Sequence, residues 1–110
     1  MVTGLDDPVF VTHAGDGSNR LFIVEKRGVI RIWQAGQLLA TPFLDIADRV
    51  GSRSSEQGLL GLAFAPDFAS SRLFFVNYTN LQGDTIVDRY RVSDDPHRAD
   101  PTSGFRILRI

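Results

Sequence analysis

The segment Glu56-Gln-Gly-Leu-Leu-Gly-Leu-Ala-Phe64 places an acid and an amide at the start of a predicted strand. Glycines in a strand permit another backbone or a ligand to approach closely. The carboxamide of Gln57 offers two donors and an acceptor, which suits it to bind a carboxylate or a carbonyl of a flat ligand. The alternative is that Gln57 merely caps the strand, and residue chemistry alone favours this structural role. The segment is the most informative one for function.

A second candidate is His13-Ala-Gly-Asp-Gly-Ser18, where an imidazole, a carboxylate and a hydroxyl fall within six residues. Catalytic triads are assembled from distant segments and recognised by geometry, so the default interpretation is a glycine-rich turn. The glycines do not complete a dinucleotide fingerprint, because Arg20 stands at the third position after Gly17. We therefore predict no catalytic residue here.

Carboxylates cluster at two places, Asp45 with Asp48 and the run Asp94-Asp-Pro-His-Arg-Ala-Asp100. Calcium takes six to eight oxygen ligands, but neither cluster has the EF-hand spacing. Surface turns stabilised by Asx hydrogen bonds are the default interpretation. We predict no metal ligand among these residues, and His97 is expected to be an exposed loop histidine.

Composition excludes several classes of protein. The 110 residues suit one domain, and 12 Lys and Arg against 13 Asp and Glu give a net charge of −1, so neither nucleic acid nor a membrane surface is expected as a partner. Without cysteine, the chain has no disulfide, thiolate nucleophile or Cys-based zinc site. No apolar run approaches the roughly 18 residues of a membrane span, and the first residues lack the pattern of a secretory signal.

The elements that must position these groups are strands. Short alternating apolar runs, bounded by Gly, Asp, Asn, Ser and Pro, predict an all-β fold with no helix of substantial length. The predicted strands are Pro8–His13, Leu21–Lys26, Val29–Gln34, Leu59–Ala65, Leu73–Thr79, Thr85–Val92 and Phe105–Ile110.

The connections between strands differ in kind. Arg27-Gly28 predicts a two-residue hairpin link, and Gln34-Ala-Gly-Gln37 predicts a second turn. By contrast, the Asp, Arg and Ser-rich stretch from Thr41 to Glu56 predicts a long, exposed connection with little regular structure.

An internal repeat organises the chain. Ser18-Asn-Arg-Leu-Phe22 recurs 52 residues later as Ser70-Ser-Arg-Leu-Phe74, each time opening a β-rich segment. A repeat of about 40 to 50 residues with four strands per unit is typical of propeller blades, which hide their edges by closing a ring. Two such units cannot close a ring, so we expect roughly two four-stranded antiparallel blades of an incomplete propeller.

The residues from Glu56 to Phe68, together with Gly15–Phe22, Thr41–Ile46 and Asp95–Asp100, resemble the soluble glucose/sorbosone dehydrogenases. These are six-bladed propellers that use pyrroloquinoline quinone (PQQ) and calcium to oxidise aldose sugars. The resemblance runs through nearly all of residues 1–110 and implies a partial propeller domain from the start of such a protein.

The resemblance also implies roles for single residues. Gln57 corresponds to the glutamine that contacts the quinone. The family's catalytic base is a histidine in an Asn-His-Asn-Gly-Gly type segment that would follow Ile110, and the calcium ligands and quinone-binding arginines also lie farther on. The resemblance therefore implies no catalytic residue and no metal ligand in these 110 residues, and a periplasmic or secreted location for the parent protein.

Three functional readings remain open at this stage. The chain is the first part of a sugar dehydrogenase that is inactive alone, a piece of a non-enzymatic extracellular binding propeller, or a small β-protein whose copies complete a ring. In each case open sheet edges and uncovered apolar faces predict self-association of the isolated chain.

Overall fold

The computed structural model describes residues 8–15, 17, 19–51 and 57–110, which form two antiparallel sheets. The first contains β1 (Pro8–His13), β2 (Leu21–Glu25), β3 (Val29–Gln34) and β4 (Gln37–Leu38), with β5 (Leu44–Asp45) also paired to β3. The second contains β6 (Leu59–Phe64), β7 (Leu73–Thr79), β8 (Thr85–Val92) and β9 (Ala99–Arg109). The one helix in this part of the chain is α1 (Phe68–Ser71). The predicted all-β class is confirmed.

Aromatic side chains join the two sheets into one core. Phe22 of β2 contacts Phe43 at a centroid separation of 4.9 Å, and Phe43 contacts Phe74 of β7 at 5.2 Å. Phe74 in turn stacks on Tyr90 of β8 at 6.0 Å. Every ring in this series is essentially inaccessible to solvent. The sheets therefore pack face to face like consecutive blades, with alternate residues of each strand turned to the shared core.

The sequence repeat corresponds to a structural repeat. Leu21-Phe22 opens β2 and Leu73-Phe74 opens β7, and each strand is the second in its sheet. The preceding arginines also behave alike, because Arg20 donates to the carbonyl of Pro96 and Arg72 donates to that of Ser93 at 2.5 Å. Both carbonyls belong to the connection between β8 and β9, so the repeated arginine ties each unit to the same turn.

The hairpin between β2 and β3 is longer than predicted. Glu25 pairs with Val29, which leaves three linking residues rather than two, and β2 ends before Lys26. Gly28 closes the turn by donating its N–H to the Glu25 carbonyl at 3.0 Å with φ of +111°. A Cβ at Gly28 would lie 2.8 Å from Cα of Ala47, so the glycine also permits the next segment to pack closely.

The expected exposed connection from Thr41 to Glu56 is wrong over its first part. Phe43, Leu44 and Ile46 are fully buried, and β5 adds to the first sheet. Phe43 donates to the Ile30 carbonyl and Ile46 to the Gly28 carbonyl, both at 2.8 Å. β5 thus pairs with the part of β3 that the short β4 does not reach. Residues 52–56 lie outside the described residues.

Four further elements depart from the sequence prediction. The strand expected at Phe105–Ile110 begins earlier, at Ala99, and β6 ends one residue earlier, at Phe64. The two-residue β4 and the four-residue α1 were not predicted. The predicted turn at Gln34–Gln37 is confirmed, since those two residues pair across it.

Candidate functional site

Gln57 lies directly before β6, the first strand of the second sheet, and its side chain is half-buried. Two hydrogen bonds fix the backbone beside it: Leu59 donates to the Lys26 carbonyl at 2.9 Å, and Thr79 donates to the Gly58 carbonyl at 3.0 Å. The first bond reaches the β2–β3 turn and the second reaches β7. Gln57 is therefore held where the two sheets meet.

Gly58 makes this junction possible. A Cβ at Gly58 would lie 2.5 Å from Cγ and 2.7 Å from the carbonyl oxygen of Lys26, and the residue has φ of +137°. Both the space and the backbone conformation thus require glycine. The prediction that glycines permit close backbone approach next to Gln57 is confirmed at this position.

The β7–β8 turn forms the other wall beside the Gln57 amide. Oδ1 of Asn80 accepts hydrogen bonds from the N–H groups of Gln82 at 3.0 Å and Asp84 at 2.9 Å, which hold the turn in one shape. A Cβ built on Gly83 in this turn would lie 3.8 Å from Nε2 of Gln57. The carboxamide consequently faces a compact turn that carries no side chain at the nearest position.

Both sheets begin at this end of the molecule. Pro8 at the start of β1 pairs with Glu25, and Leu59 at the start of β6 pairs with Tyr78, while β1 and β6 also contact each other. We call this the Gln57 end; it includes the turns 26–28 and 80–84. A ligand bound against the starts of β1 and β6, the first strand of each sheet, would contact the amide of Gln57.

The carboxylates of the acidic clusters cap turns. Oδ1 of Asp45 accepts from the N–H of Ala47 at 3.1 Å, and Oδ1 of Asp95 accepts from that of His97 at 3.0 Å. Asp100 accepts from both the N–H and the hydroxyl of Thr102, at 2.9 and 2.6 Å, and these bonds lower its pKa. The default Asx-turn interpretation of these residues is confirmed.

Metal-ligating side chains do not gather in the part of the chain that the structure describes, where no group of three or more His, Asp or Glu lies close enough to hold an ion. Within the same residues no helix has the length and apolar character needed to cross a bilayer.

The two histidines lie away from Gln57. His13 is exposed at the far end of β1, beside a concavity of about 470 Å³ that Ala14, Asn19 and Leu21 also line. Asp16 and Ser18, the other members of the triad interpretation, lie outside the described residues. His97 is half-buried rather than exposed as predicted; the turn that carries it is bonded to Arg20 through the carbonyl of Pro96.

A buried polar network in the second sheet was not predicted. The hydroxyl of Tyr78 donates to Oδ2 of Asp88 at 2.8 Å, and Nε of Arg106 donates to Oδ1 of Asp88 at 3.0 Å. Burial and the bond to Asp88 raise the pKa of Tyr78 to about 12, and Asp88 raises the pKa of Arg106. The signal was available in β8, where alternation places Asp88 on the same face as Ile86 and Tyr90.

Tyr90 extends the polar contacts to the segment that joins the sheets. Its hydroxyl accepts a hydrogen bond of 2.5 Å from Nη1 of Arg49. Burial raises the pKa of Tyr90, and the nearby Arg49 charge opposes that rise.

The two antiparallel sheets are stacked and carry an internal repeat, and the first strand of the second sheet follows a polar amide. This arrangement is typical of the β-propeller class. The chain belongs to the Glucose / Sorbosone dehydrogenase family, whose model matches residues 5–106. The family inferred from the sequence is thereby confirmed.

Two curated relatives carry different names. Hedgehog-interacting protein of Mus musculus is 43% identical over 100% of this chain, which covers 18% of that protein. The aldose sugar dehydrogenase YliI of Escherichia coli (strain K12) is 35% identical over 83% of this chain, which covers 25% of that protein.

Solved structures show the same architecture. The PQQ-bound aldose sugar dehydrogenase from Streptomyces coelicolor matches 98% of this chain with a TM-score of 0.78 at 23% identity, over 31% of its own length. The soluble aldose sugar dehydrogenase from Escherichia coli, solved in the apo form, matches 96% with a TM-score of 0.76 at 30% identity, over 30% of its length. The chain spans less than a third of each of these four relatives.

Proposed function

We propose that residues 1–110 form the first blades of a six-bladed propeller that oxidises aldose sugars with pyrroloquinoline quinone. The single observation that carries the proposal is the position of Gln57, held by Gly58 at the junction of the two sheets and facing the Gly83 turn. A polar amide anchored at the start of a first strand suits a contact to a flat, polar cofactor.

The quinone, when bound, supplies the chemistry by accepting a hydride from the sugar. The role of Gln57 is to orient that cofactor. Its amide N–H can donate to a carbonyl or carboxylate oxygen, and the compact turn at Asn80–Asp84 limits the positions that the side chain can adopt.

Among the described residues, Gln57 is the one that we assign to the cofactor. Gln57 offers an amide, whereas the carboxylates of Asp45, Asp95 and Asp100 are engaged in turns and are not gathered together. By the family resemblance, we assign the calcium ligands, the quinone-binding arginines and the base that takes the sugar's proton to segments of the parent protein after Ile110. On this proposal residues 1–110 are inactive by themselves.

A second candidate function is an extracellular binding propeller without redox activity. The observation that favours it is the 43% identity to Hedgehog-interacting protein across the whole chain, against 35% to the aldose sugar dehydrogenase over 83% of it. Gln57 would then be a structural cap, since an amide that closes a strand needs no ligand. Both candidates agree with a periplasmic or secreted location, which we propose for the parent protein.

Titration of the full-length protein with pyrroloquinoline quinone and calcium separates the two functions. We expect a saturable change in quinone absorbance and reduction of an artificial dye when an aldose is added. Quinone binding without dye reduction would refute the dehydrogenase activity. If a folded protein shows no absorbance change and no dye reduction, the dehydrogenase proposal is overturned and the binding propeller is favoured.

A further inference from the structure

Three guanidinium groups converge on one concavity near the β9 edge of the second sheet. Arg106 and Arg109 extend from β9, and Arg49 comes from the segment that joins the sheets. The concavity has a volume of about 310 Å³, and its other lining residues are Asp48, Tyr78, Asn80, Leu81 and Gln82. Gln57 precedes β6, at the opposite edge of this sheet from β9.

Neighbouring groups hold each of these arginines in place. Arg106 is anchored through Nε to the buried carboxylate of Asp88. Arg109 donates from Nε and Nη2 to Oδ2 of Asp84, at 2.9 and 2.7 Å. Nη1 of Arg109 has no acceptor among the described residues. The arginines are thus preorganised but remain about half-exposed. Ligand binding would therefore cost little side-chain conformational entropy.

Each of the three arginines has a carboxylate nearby, so the cluster offers an anion its remaining N–H donors rather than a net positive charge. The lining of the concavity contains three arginines and one carboxylate, Asp48, which is 81% exposed. Arg49 has no closer carboxylate than Oδ1 of Asp48, 4.0 Å from its Nε, and it donates instead to the Tyr90 hydroxyl and, at 3.4 Å, to the Pro101 carbonyl. Arg49 therefore has the longest of the three arginine–carboxylate pairings.

From this convergence we propose that the concavity lined by Arg49, Arg106 and Arg109 binds an oxyanion, the phosphate or sulfate group of a small ligand. Guanidinium groups present planar pairs of donors that match the oxygens of such groups. The volume is sufficient for one tetrahedral anion with an attached sugar-sized body. This proposal does not require the redox function, because its arginines come from β9 and the joining segment, whereas Gln57 precedes β6 at the opposite edge of the sheet.

The net charge of the chain makes the site testable. At −1 the molecule as a whole does not attract anions, so specific binding of an anion has to come from a local cluster. The experiment is isothermal titration calorimetry of the full-length protein at low ionic strength with three ligands: inorganic phosphate, inorganic sulfate and a hexose 6-phosphate. Arg109→Gln and Arg49→Gln test the site, and Arg91→Gln on an exposed position of β8 is the matched control.

We expect saturable binding that Arg109→Gln weakens about tenfold or more and that Arg91→Gln leaves within twofold of the parent protein. Tighter binding of the hexose phosphate than of phosphate would identify a phosphorylated saccharide as the ligand class, and equal binding would identify the free anion. Arg49→Gln also removes the bond to Tyr90. If circular dichroism shows that Arg49→Gln is unfolded, the result with Arg109→Gln decides. Absence of saturable heat with all three ligands, or equal weakening by Arg91→Gln, would overturn the proposal.

Discussion

Asp88 is a carboxylate on the buried face of the second sheet, where Tyr78 and Arg106 satisfy both of its oxygens. A buried charge without such partners would be strongly destabilising. The network also ties the edge strand β9 to the core, because Arg106 reaches across from β9 to β8. The buried face of the second sheet thus contains one polar network among residues that otherwise pack through apolar side chains.

The two tyrosines of the chain should titrate abnormally. Burial raises the pKa of Tyr78 from 10.0 to about 12, and it also raises that of Tyr90. We expect absorbance at 295 nm to show little tyrosinate at pH 10 in the folded protein and both groups titrating near pH 10 in urea. A folded protein in which either tyrosine ionises with an ordinary pKa would contradict the buried network.

The same shift predicts how stability varies with alkaline pH. The folded state holds the Tyr78 proton more tightly than the unfolded state, so this stabilisation is complete below pH 10 and is lost as the pH rises toward about 12. Tyr78→Phe should remove the Tyr78 share of this pH dependence while lowering the free energy of unfolding at pH 7 by about 1 to 3 kcal/mol. Urea denaturation at several pH values measures both effects.

At the scale of elements, glycines set how closely the turns and strands approach one another. Gly58 and Gly28 each lie against a neighbouring backbone that a Cβ would meet at less than 3 Å. Gly61 lies three residues later, within β6, and a Cβ added there would be 3.7 Å from its nearest neighbour, Cβ of Asn77. Gly58, directly before β6, and Gly61, within it, therefore provide a matched pair.

Gly58→Ala should lower the free energy of unfolding by about 2 kcal/mol or more, because the new methyl group meets the Lys26 backbone and φ is positive. Gly61→Ala should leave stability unchanged or slightly increased, since alanine restricts the unfolded chain. Equilibrium denaturation of both variants checks the prediction. Equal stability of the two would show that the junction beside Gln57 is not closely packed.

Sequence patterns predicted the longer strands. The bounds of β3, β7 and β8 agree with the prediction, because each is a run rich in β-branched and aromatic residues bounded by turn residues. The two-residue β4 and β5 are too short to show a period. The first half of β9, Asp-Pro-Thr-Ser-Gly, is polar and joins the sheet through backbone pairing and side-chain bonds that no periodicity reveals.

The candidate site was predictable in part. The glycine-rich run around Gln57 marked a close approach, which the structure shows, and the carboxylates of Asp45, Asp95 and Asp100 accept turn hydrogen bonds as interpreted. The packing of residues 43–46 was missed because Phe43, Leu44 and Ile46 stand among polar residues and pair with β3 only in three dimensions. Tertiary contacts of this kind depend on which strand lies alongside, and local sequence does not specify that.

For the whole molecule, one sheet face is covered and the other is open. The second sheet turns Phe74 and Tyr90 to the core, while Phe75 and Val87 line an apolar concavity of about 280 Å³ on its far side. On the edge strand β9, Phe105 is 57% exposed. Uncovered apolar faces and unpaired edges of this kind favour pairing with other chains.

The isolated 110-residue chain should therefore self-associate. We expect light scattering after size exclusion to give a mass that exceeds the monomer and grows with concentration. Phe105→Lys should reduce the association because a charge on an edge strand opposes pairing. Gln82→Lys adds the same charge in an exposed turn and should leave the association unchanged. A monomeric profile of the unaltered chain at every concentration would refute the prediction.

The most direct test of the proposed role of Gln57 is the affinity of the full-length protein for pyrroloquinoline quinone in the presence of calcium. Gln57→Ala is compared with Gln37→Ala, which alters an exposed glutamine in the β3–β4 turn at the other end of the first sheet. If Gln57 binds the quinone, its loss should weaken binding about tenfold, the value of one hydrogen bond of about 1.4 kcal/mol, while Gln37→Ala should match the unaltered protein. Equal quinone affinity of the two variants would contradict the account.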